Sequence, residues 1–418
     1  QQALGVGMPD VVSQSIRDWQ EQQEQTLRAG YENFEDYYRG KQKTALTDRI
    51  KKFLLNNELT FRDNFCEAVV DALAERLNVI GVESAEENVT AWLWELWQAL
   101  RMDATQVIVH TETVMKGDAY VLVSWDADAG IPRIDYQDAH MIIPHYDPTT
   151  RKLDWASKKW SWIPDVGEEP MTRLNLYYPD RVEKYIVGGG NWQKFQEEGD
   201  LGWPVPWIDG TGNPLGVPLI HFRNRPLGGD FGISELENVI PMQDLLNKTL
   251  IDLVQILDTQ AFSRPWTVGV NPPSGGFSVV PGAVWNLTPV DGDASQTKVG
   301  QFQPSDVGGV LASIEMIIQH IAGRSRTPQH IFHISGNFPS GEALKTAEAG
   351  LINKAKQRQV VLGNAWEDSL QLALKLQNTF GNQVSGEDRV RIEMTWDDPE
   401  TRNEKSFLEG LEKKLKTP

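Results

Sequence analysis

The chain has 418 residues, more than one hydrophobic core usually serves, so two or three structural units are expected. An apolar share of 40% and a charged share of 23% exclude large-scale disorder. A net charge of −18 argues against a surface that wraps nucleic acid tightly, a single cysteine excludes an intramolecular disulfide framework or an all-Cys zinc site, and no run approaches the ~20 apolar residues of a membrane span. With Gln1 first and no signal-type apolar region, a cytoplasmic origin is expected. Fifteen Trp suggest broad packing surfaces between domains or subunits.

The first hundred residues read as helices. Ile16, Trp19, Leu27, Tyr31, Phe34 and Tyr38 recur at mostly three- and four-residue intervals until Gly40. Phe65, Val69, Leu73 and Leu77 repeat the pattern and end before Gly81, which puts Cys66 in a helix as a buried structural thiol. Ser84 and Glu87 have capping-box spacing ahead of a face of Leu93, Leu96, Trp97 and Leu100. Strand signals take over near Gly117, with hairpins to Pro148 and a second hairpin turning at Pro179-Asp180. Residues 193–216 read as loop, and 217–226 contain a short strand.

The middle is helical again. Ser234 and Glu237 form a second capping-box pattern before an apolar helix reaching about Gln260, which Pro241 should kink or restart. Residues 264–304 read as a β-rich insert. Ser305 caps the next helix, with Val307, Val310, Leu311, Ile314, Ile317, Ile318 and Ile321 on one face and a stop at Gly323. The loop "HISGNFPSG" leads through a cap at Ser340 into a very long helix. Its apolar face runs through Leu344, Ala347, Leu351, Ala355, Leu362, Trp366, Leu370 and Ala373 to Gly381, and at 1.5 Å per residue it is roughly 55 Å long. A last strand in "RVRIEMTWDDP" precedes a helix from about Glu400.

Catalytic and ligand motifs find little footing. There is no P-loop pattern, and the glycines at 188–190 lie between hairpin signals rather than before a helix. His330 and His333 have a ligand-like spacing without a nearby carboxylate pair. Asp397 and Asp398 fall on opposite sides of a strand end, where Asp398 as a helix cap with Pro399 first explains the letters better than a metal site. The residues thus point away from an enzyme and call for no cofactor or metal. What stands out is architectural: two apolar helices flank a β module, and the second leads through a loose loop into the long helix. Copies packed side by side around an axis, or an ordinary decorated helical hairpin, both fit that pattern.

Three stretches carry a family resemblance: "YYRGKQ" with "FCEAVVDALAERLNVIGV", "GISELENVIPMQDLLNKTLIDL", and above all "TPQHIFHISGNFPSGEALKTAEAGLINKAKQRQ". In their order and spacing the chain resembles the portal proteins of tailed double-stranded DNA bacteriophages, in the branch typified by a Bacillus siphophage. The resemblance implies an α+β, mainly helical portal fold with wing, stem, clip and a short or missing crown. It implies a ring of about twelve copies at one capsid vertex, through which the genome is packaged and ejected. By position, 1–232 would be wing, 233–263 the first stem helix, 264–304 the clip, 305–332 the second stem helix, 333–341 the tunnel loop, 342–399 wing again, and 400–418 the start of a crown or C-terminal helix, the crown being either natively short or cut off in a trimmed sequence.

The same resemblance implies partners: the terminase large subunit, a neck or adaptor protein, major capsid and scaffolding proteins, and double-stranded DNA in the channel, with no membrane. His333, Ile334, Ser335, Gly336, Asn337, Phe338, Pro339, Ser340 and Gly341 would form the tunnel loop, with Phe338 and Asn337 projecting inward between glycine hinges. Lys248, Arg264, Lys298, Arg324 and Arg326 are candidate contacts to the DNA backbone, salt bridges between subunits serving equally well. Pro265, Trp266, Val279, Val280 and Trp285 would belong to the clip interface. The location implied is the virion's portal vertex, after assembly in the host cytoplasm. The rivals are another ring-forming neck or tail protein and, further off, a metal-dependent DNA-processing enzyme.

Overall fold

The computed structural model describes residues 14–42, 63–163, 171–188, 191–260, 265–271, 287–290, 295, 297–301, 307–332, 341–386 and 389–400. The chain divides into two compact units, one holding 1–42, 65–238 and 325–418, the other 43–64 and 239–324.

The larger unit opens with α1 (Gln14–Tyr38) and α2 (Cys66–Ala74), the latter burying Cys66, Val69, Val70 and Leu73. Here the sequence reading needs its first correction. The helix expected up to Gly81 ends at Ala74, and β1 (Val79–Ser84) follows. Its partner is β15 (Ile392–Trp396), in antiparallel register with Val82 opposite Met394, so the strand is specified by residues far along the chain. Ser84 therefore ends a strand and caps no helix; α3 (Glu87–Ala99) starts without a side-chain cap. The helix then breaks at Arg101, which has φ 54, and resumes as α4 (Met102–Lys116), which stops at Gly117 with φ 96.

After Gly117 come the expected strands together with two that the sequence pattern did not mark, β5 and β9: β2 (Asp118–Asp126), β3 (Ile131–Gln137), β4 (Ile142–Tyr146), β5 (Leu153–Trp162), β6 (Met171–Tyr177), β7 (Arg181–Gly188), β8 (Asn191–Lys194), β9 (Val205–Pro206) and β10 (Leu219–Arg223). The order β10-β2-β3 makes one antiparallel sheet, and β4-β5-β6-β7-β8 makes a second, in which β9 also pairs with β7. The hairpin at Pro179-Asp180 is present, whereas the predicted loop 193–216 holds the ends of this second sheet. Tyr31, Tyr120, Ala139, Ile142, Ala156 and Leu219 join α1 to both sheets in one core, and Leu174, Leu176 and Tyr185 form a smaller core with Trp155, Trp192 and Trp203.

The helix α7 (Gly341–Phe380) runs 40 residues, about 60 Å, and packs on β10, β2 and β3. Leu351, Ala355, Leu362, Trp366, Leu370 and Ala373 are buried as the periodicity predicts. Ala347 is exposed instead, and its neighbour Glu348 takes the buried place beside Arg76 and His330. The expected strand near the end is β15, and Asp398 accepts a hydrogen bond from the Glu400 N–H, as a cap does.

In the smaller unit, α5 (Ile240–Gln260) restarts at Pro241, which sits in the first turn where its missing N–H costs nothing. Ser234 does not cap this helix: its hydroxyl donates to the Met115 carbonyl and accepts from the Leu236 N–H. Gln243 and Asn247 reach Asp63, through bonds of 2.8 and 2.9 Å to its backbone. The insert is β-rich in its described parts, with β11 (Pro265–Val268) on β14 (Lys298–Gln301) and β12 (Val270–Asn271) on β13 (Thr288–Pro289). Next, α6 (Gly308–Ser325) runs past Gly323 to Arg326, whose φ of 55 ends it. Ile317, Ile318 and Ile321 are buried on it, but Leu311 is exposed. Ser305 lies outside the described residues.

Candidate functional site

The polypeptide leaves the larger unit after Asn238 and re-enters it at Ser325, and both passages are held by α7. Lys354 and Arg358, one helical turn apart, face inward among Leu351, Ala355 and Leu362. Lys354 Nζ lies 2.7 Å from Glu235 Oε2 and donates to the Ser325 carbonyl at 2.7 Å. Arg358 donates to Glu235 Oε1 at 2.8 Å and to the Asn224 side-chain oxygen. Asn224 returns its amide to the Ile233 carbonyl at 2.6 Å and to Glu235 Oε1 at 3.1 Å. All of these side chains are buried. Burial alone would push the Glu235 carboxyl up, yet Lys354 and Arg358 hold it below the ordinary carboxylate value.

The sequence places the outgoing segment by close approach. Gly232 donates to Asp118 Oδ1 at 2.7 Å, and a Cβ built on it would lie 2.0 Å from the Gly117 carbonyl. Only glycine fits there. Ile233 and Glu235 then donate to the Asn224 and Val114 carbonyls at 2.7 and 3.1 Å. The returning segment forms a 3₁₀ turn at Gln329–Ile331 and ends at Phe332, whose ring meets Phe65 edge-on at 5.3 Å. Phe332 is thus a buried footing immediately before the expected tunnel loop.

That loop itself, His333 to Ser340, lies outside the described residues, as do Arg264, Val279, Val280 and Trp285; Gly341 is the first residue of α7. Among the candidate basic contacts, Lys248 is exposed on α5 and 4.0 Å from Asp252. Lys298 is exposed on β14, and Arg324 and Arg326 are exposed at the end of α6. Pro265 and Trp266 pair with Gln301 and Gly300, and the indole of Trp266 covers Gly300 so closely that a Cβ there would come within 2.3 Å. The buried hub escaped the sequence reading. Its signal was present: Arg358 continues the 351, 355, 362 stripe, a charge at a core position.

Residues 17–417 match the family described as Phage portal protein, SPP1 Gp6-like. The chain belongs to that phage portal family. The portal protein of Mycobacterium phage D29 is 24% identical over 354 residues, covering 79% of this chain and 68% of that protein. The portal protein of Mycobacterium phage L5 is 23% identical over 349 residues, with the same two coverages of 79% and 68%. Among solved structures, a chain of a native gene transfer agent virion is similar over 90% of this chain and 91% of its own, with 12% identity and a TM-score of 0.47. The portal family is one of phage structural proteins, the head-to-tail connectors. No helix among the described residues is long and apolar enough to cross a membrane.

Proposed function

We propose that this chain is the subunit of a ring of about twelve copies at one capsid vertex, the conduit for genome packaging and ejection and the platform for terminase and neck proteins. In this reading α5 and α6 line the stem, the insert between them is the clip, and the larger unit is the wing. Residues 333–341 reach toward the channel, and 400–418 begin a crown. The observation that carries it is the hub: Glu235 and Ser325, at the two ends of the α5-to-α6 excursion, both meet Lys354 of α7. A load on the excursion, or on the loop that precedes α7, is thereby delivered to one buried point.

The chemistry suits a passage rather than a grip. A net charge of −18 repels phosphate, so DNA slides past sparse cations such as Lys248, Lys298, Arg324 and Arg326 without being held. Nothing in this scheme needs a catalytic group or a cofactor. Negative-stain imaging with mass photometry of the purified protein tests it: closed rings of about a dozen copies with a central hole are expected. A monomer that stays monomeric beside capsid and scaffolding proteins refutes it.

A further inference from the structure

Two adjacent lysines of β5 have opposite surroundings. Lys159 lies 3.1 Å from Glu24 of α1, an ordinary ion pair. Buried Lys116 and Lys354 and half-buried Lys184 likewise have a carboxylate at 2.6, 2.7 and 2.6 Å. Lys158, half-buried on the other face of β5, has none within salt-bridge distance among the described residues. Its Nζ donates instead to Gln137 Oε1 at 2.5 Å, which ties β5 to β3. Asn175, directly opposite it on β6, is neutral. Asp135 of β3 faces Lys158 from further off and is engaged by Arg133 at 2.9 Å.

A second cation stands beside it. Lys158 Nζ lies 4.7 Å from the centre of the Trp160 ring, and the Arg173 guanidinium lies 5.0 Å from the same ring. An indole attracts cations, but here two share it. Arg173 has its own carboxylate, Glu197, at 2.6 Å, which leaves Lys158 without a counter-charge at close range. An ammonium also has three N–H donors to place, whereas a neutral amine keeps its bond to Gln137 with one hydrogen and has a lone pair to spare. Burial first, then the Arg173 charge, hold the Lys158 amine below its ordinary value against the weaker pull of Asp135. A lysine desolvated next to another cation is the arrangement that turns an amine into a nucleophile.

We propose that Lys158 is an acylation site, which takes its acyl group from activated donors of the acyl phosphate class. This is independent of the ring reading. The Nζ lone pair attacks the acyl carbonyl and a C–N bond forms. The acyl C–O bond breaks, phosphate leaves with the electron pair, and the proton lost from Nζ passes to that phosphate. The product is a neutral amide, so it escapes the penalty that burial lays on the ammonium. Acylation thereby removes one positive charge beside Arg173 and adds bulk at the bond between β5 and β3.

The test treats the full chain with limiting acetyl phosphate and reads the acetylation rate at each site by mass spectrometry, with exposed Lys152 and Lys298 as references. At pH 7 Lys158 should react at least threefold faster than either reference. At pH 10 that lead should fall to less than half, because exposed amines then become substantially neutral as well. Equal or slower labelling of Lys158 at pH 7 in the folded protein overturns the proposal. So does a lead that persists unchanged at pH 10, since it would reflect access to the amine and not its activation. Gln137→Glu places the missing carboxylate at the atom that Lys158 already meets, and it should erase the lead at pH 7. Undiminished labelling in that variant also counts against the proposal.

Discussion

His110 is fixed as one neutral tautomer. Its Nδ1–H donates to the Leu77 carbonyl at 2.7 Å, and its Nε2 accepts from the Trp366 indole at 2.9 Å. A second proton would set N–H against N–H, and burial moves the imidazole from its ordinary 6.5 down to about 4. The sign follows: the stabilising contribution is complete above pH 6.5 and is lost as pH falls from there toward 4, where only the unfolded chain takes the proton. Between pH 7 and 5 this group should remove about 2 kcal/mol. Urea unfolding at both pH values checks it, with His110→Asn expected to be less stable at pH 7 but to lose that slope. The hub makes a second residue-scale prediction. Lys354→Met should cost about 3–5 kcal/mol, since it strips a cation from the buried Glu235 and a donor from Ser325. Adding Glu235→Gln should recover part of that loss in the same unfolding series. Neither His110 nor Lys354 announces itself in the sequence, because their partners lie on other elements.

At the scale of elements, what could be read in advance divides by the range of the signal. The long helix was legible because its period of 3.6 repeats within the segment itself, and the Pro179-Asp180 hairpin because its turn chemistry is local. β1 was not, since "NVIGVES" becomes a strand only through its pairing with residues 392–396. Nor was the break between α3 and α4, where an arginine rather than a glycine takes the left-handed turn. That substitution can be made: Arg101→Gly should raise the stability by up to ~1 kcal/mol, seen as a higher melting temperature, because the strained φ of 54 is relieved. The opposite change is Gly232→Ala. Its Cβ has backbone on three sides, the Gly117 carbonyl and both Asn224 backbone groups, so nothing flexible can give way. A loss of more than about 4 kcal/mol is expected, or no folded protein at all, and near-native melting would show that the outgoing segment is not pinned there.

For the whole molecule the chain crosses between the units four times, and the last two crossings decide how separable the 239–324 excursion is. Glu235 and Ser325 both lie 2.7 Å from Lys354 Nζ, so the ends of the excursion in the larger unit are neighbours in space. The larger unit also has its own cores, built around Tyr31, Tyr120 and Leu219 and around Leu174, Leu176 and Tyr185. Replacing 239–324 with a short Gly/Ser linker should therefore leave it folded, because loop closure over neighbouring ends costs little. The expected result is a cooperative thermal transition and near-ultraviolet dichroism typical of packed indoles, since the cluster of Trp97, Trp366 and Phe222 is internal to the unit. If α5, α6 and the insert form the stem and clip, the shortened chain should also fail to close into rings under conditions where the full chain does. A shortened chain that is unfolded would mean that the larger unit depends on the excursion for its stability. One that is folded and still makes rings would move the ring contacts out of α5 and α6 and onto the larger unit.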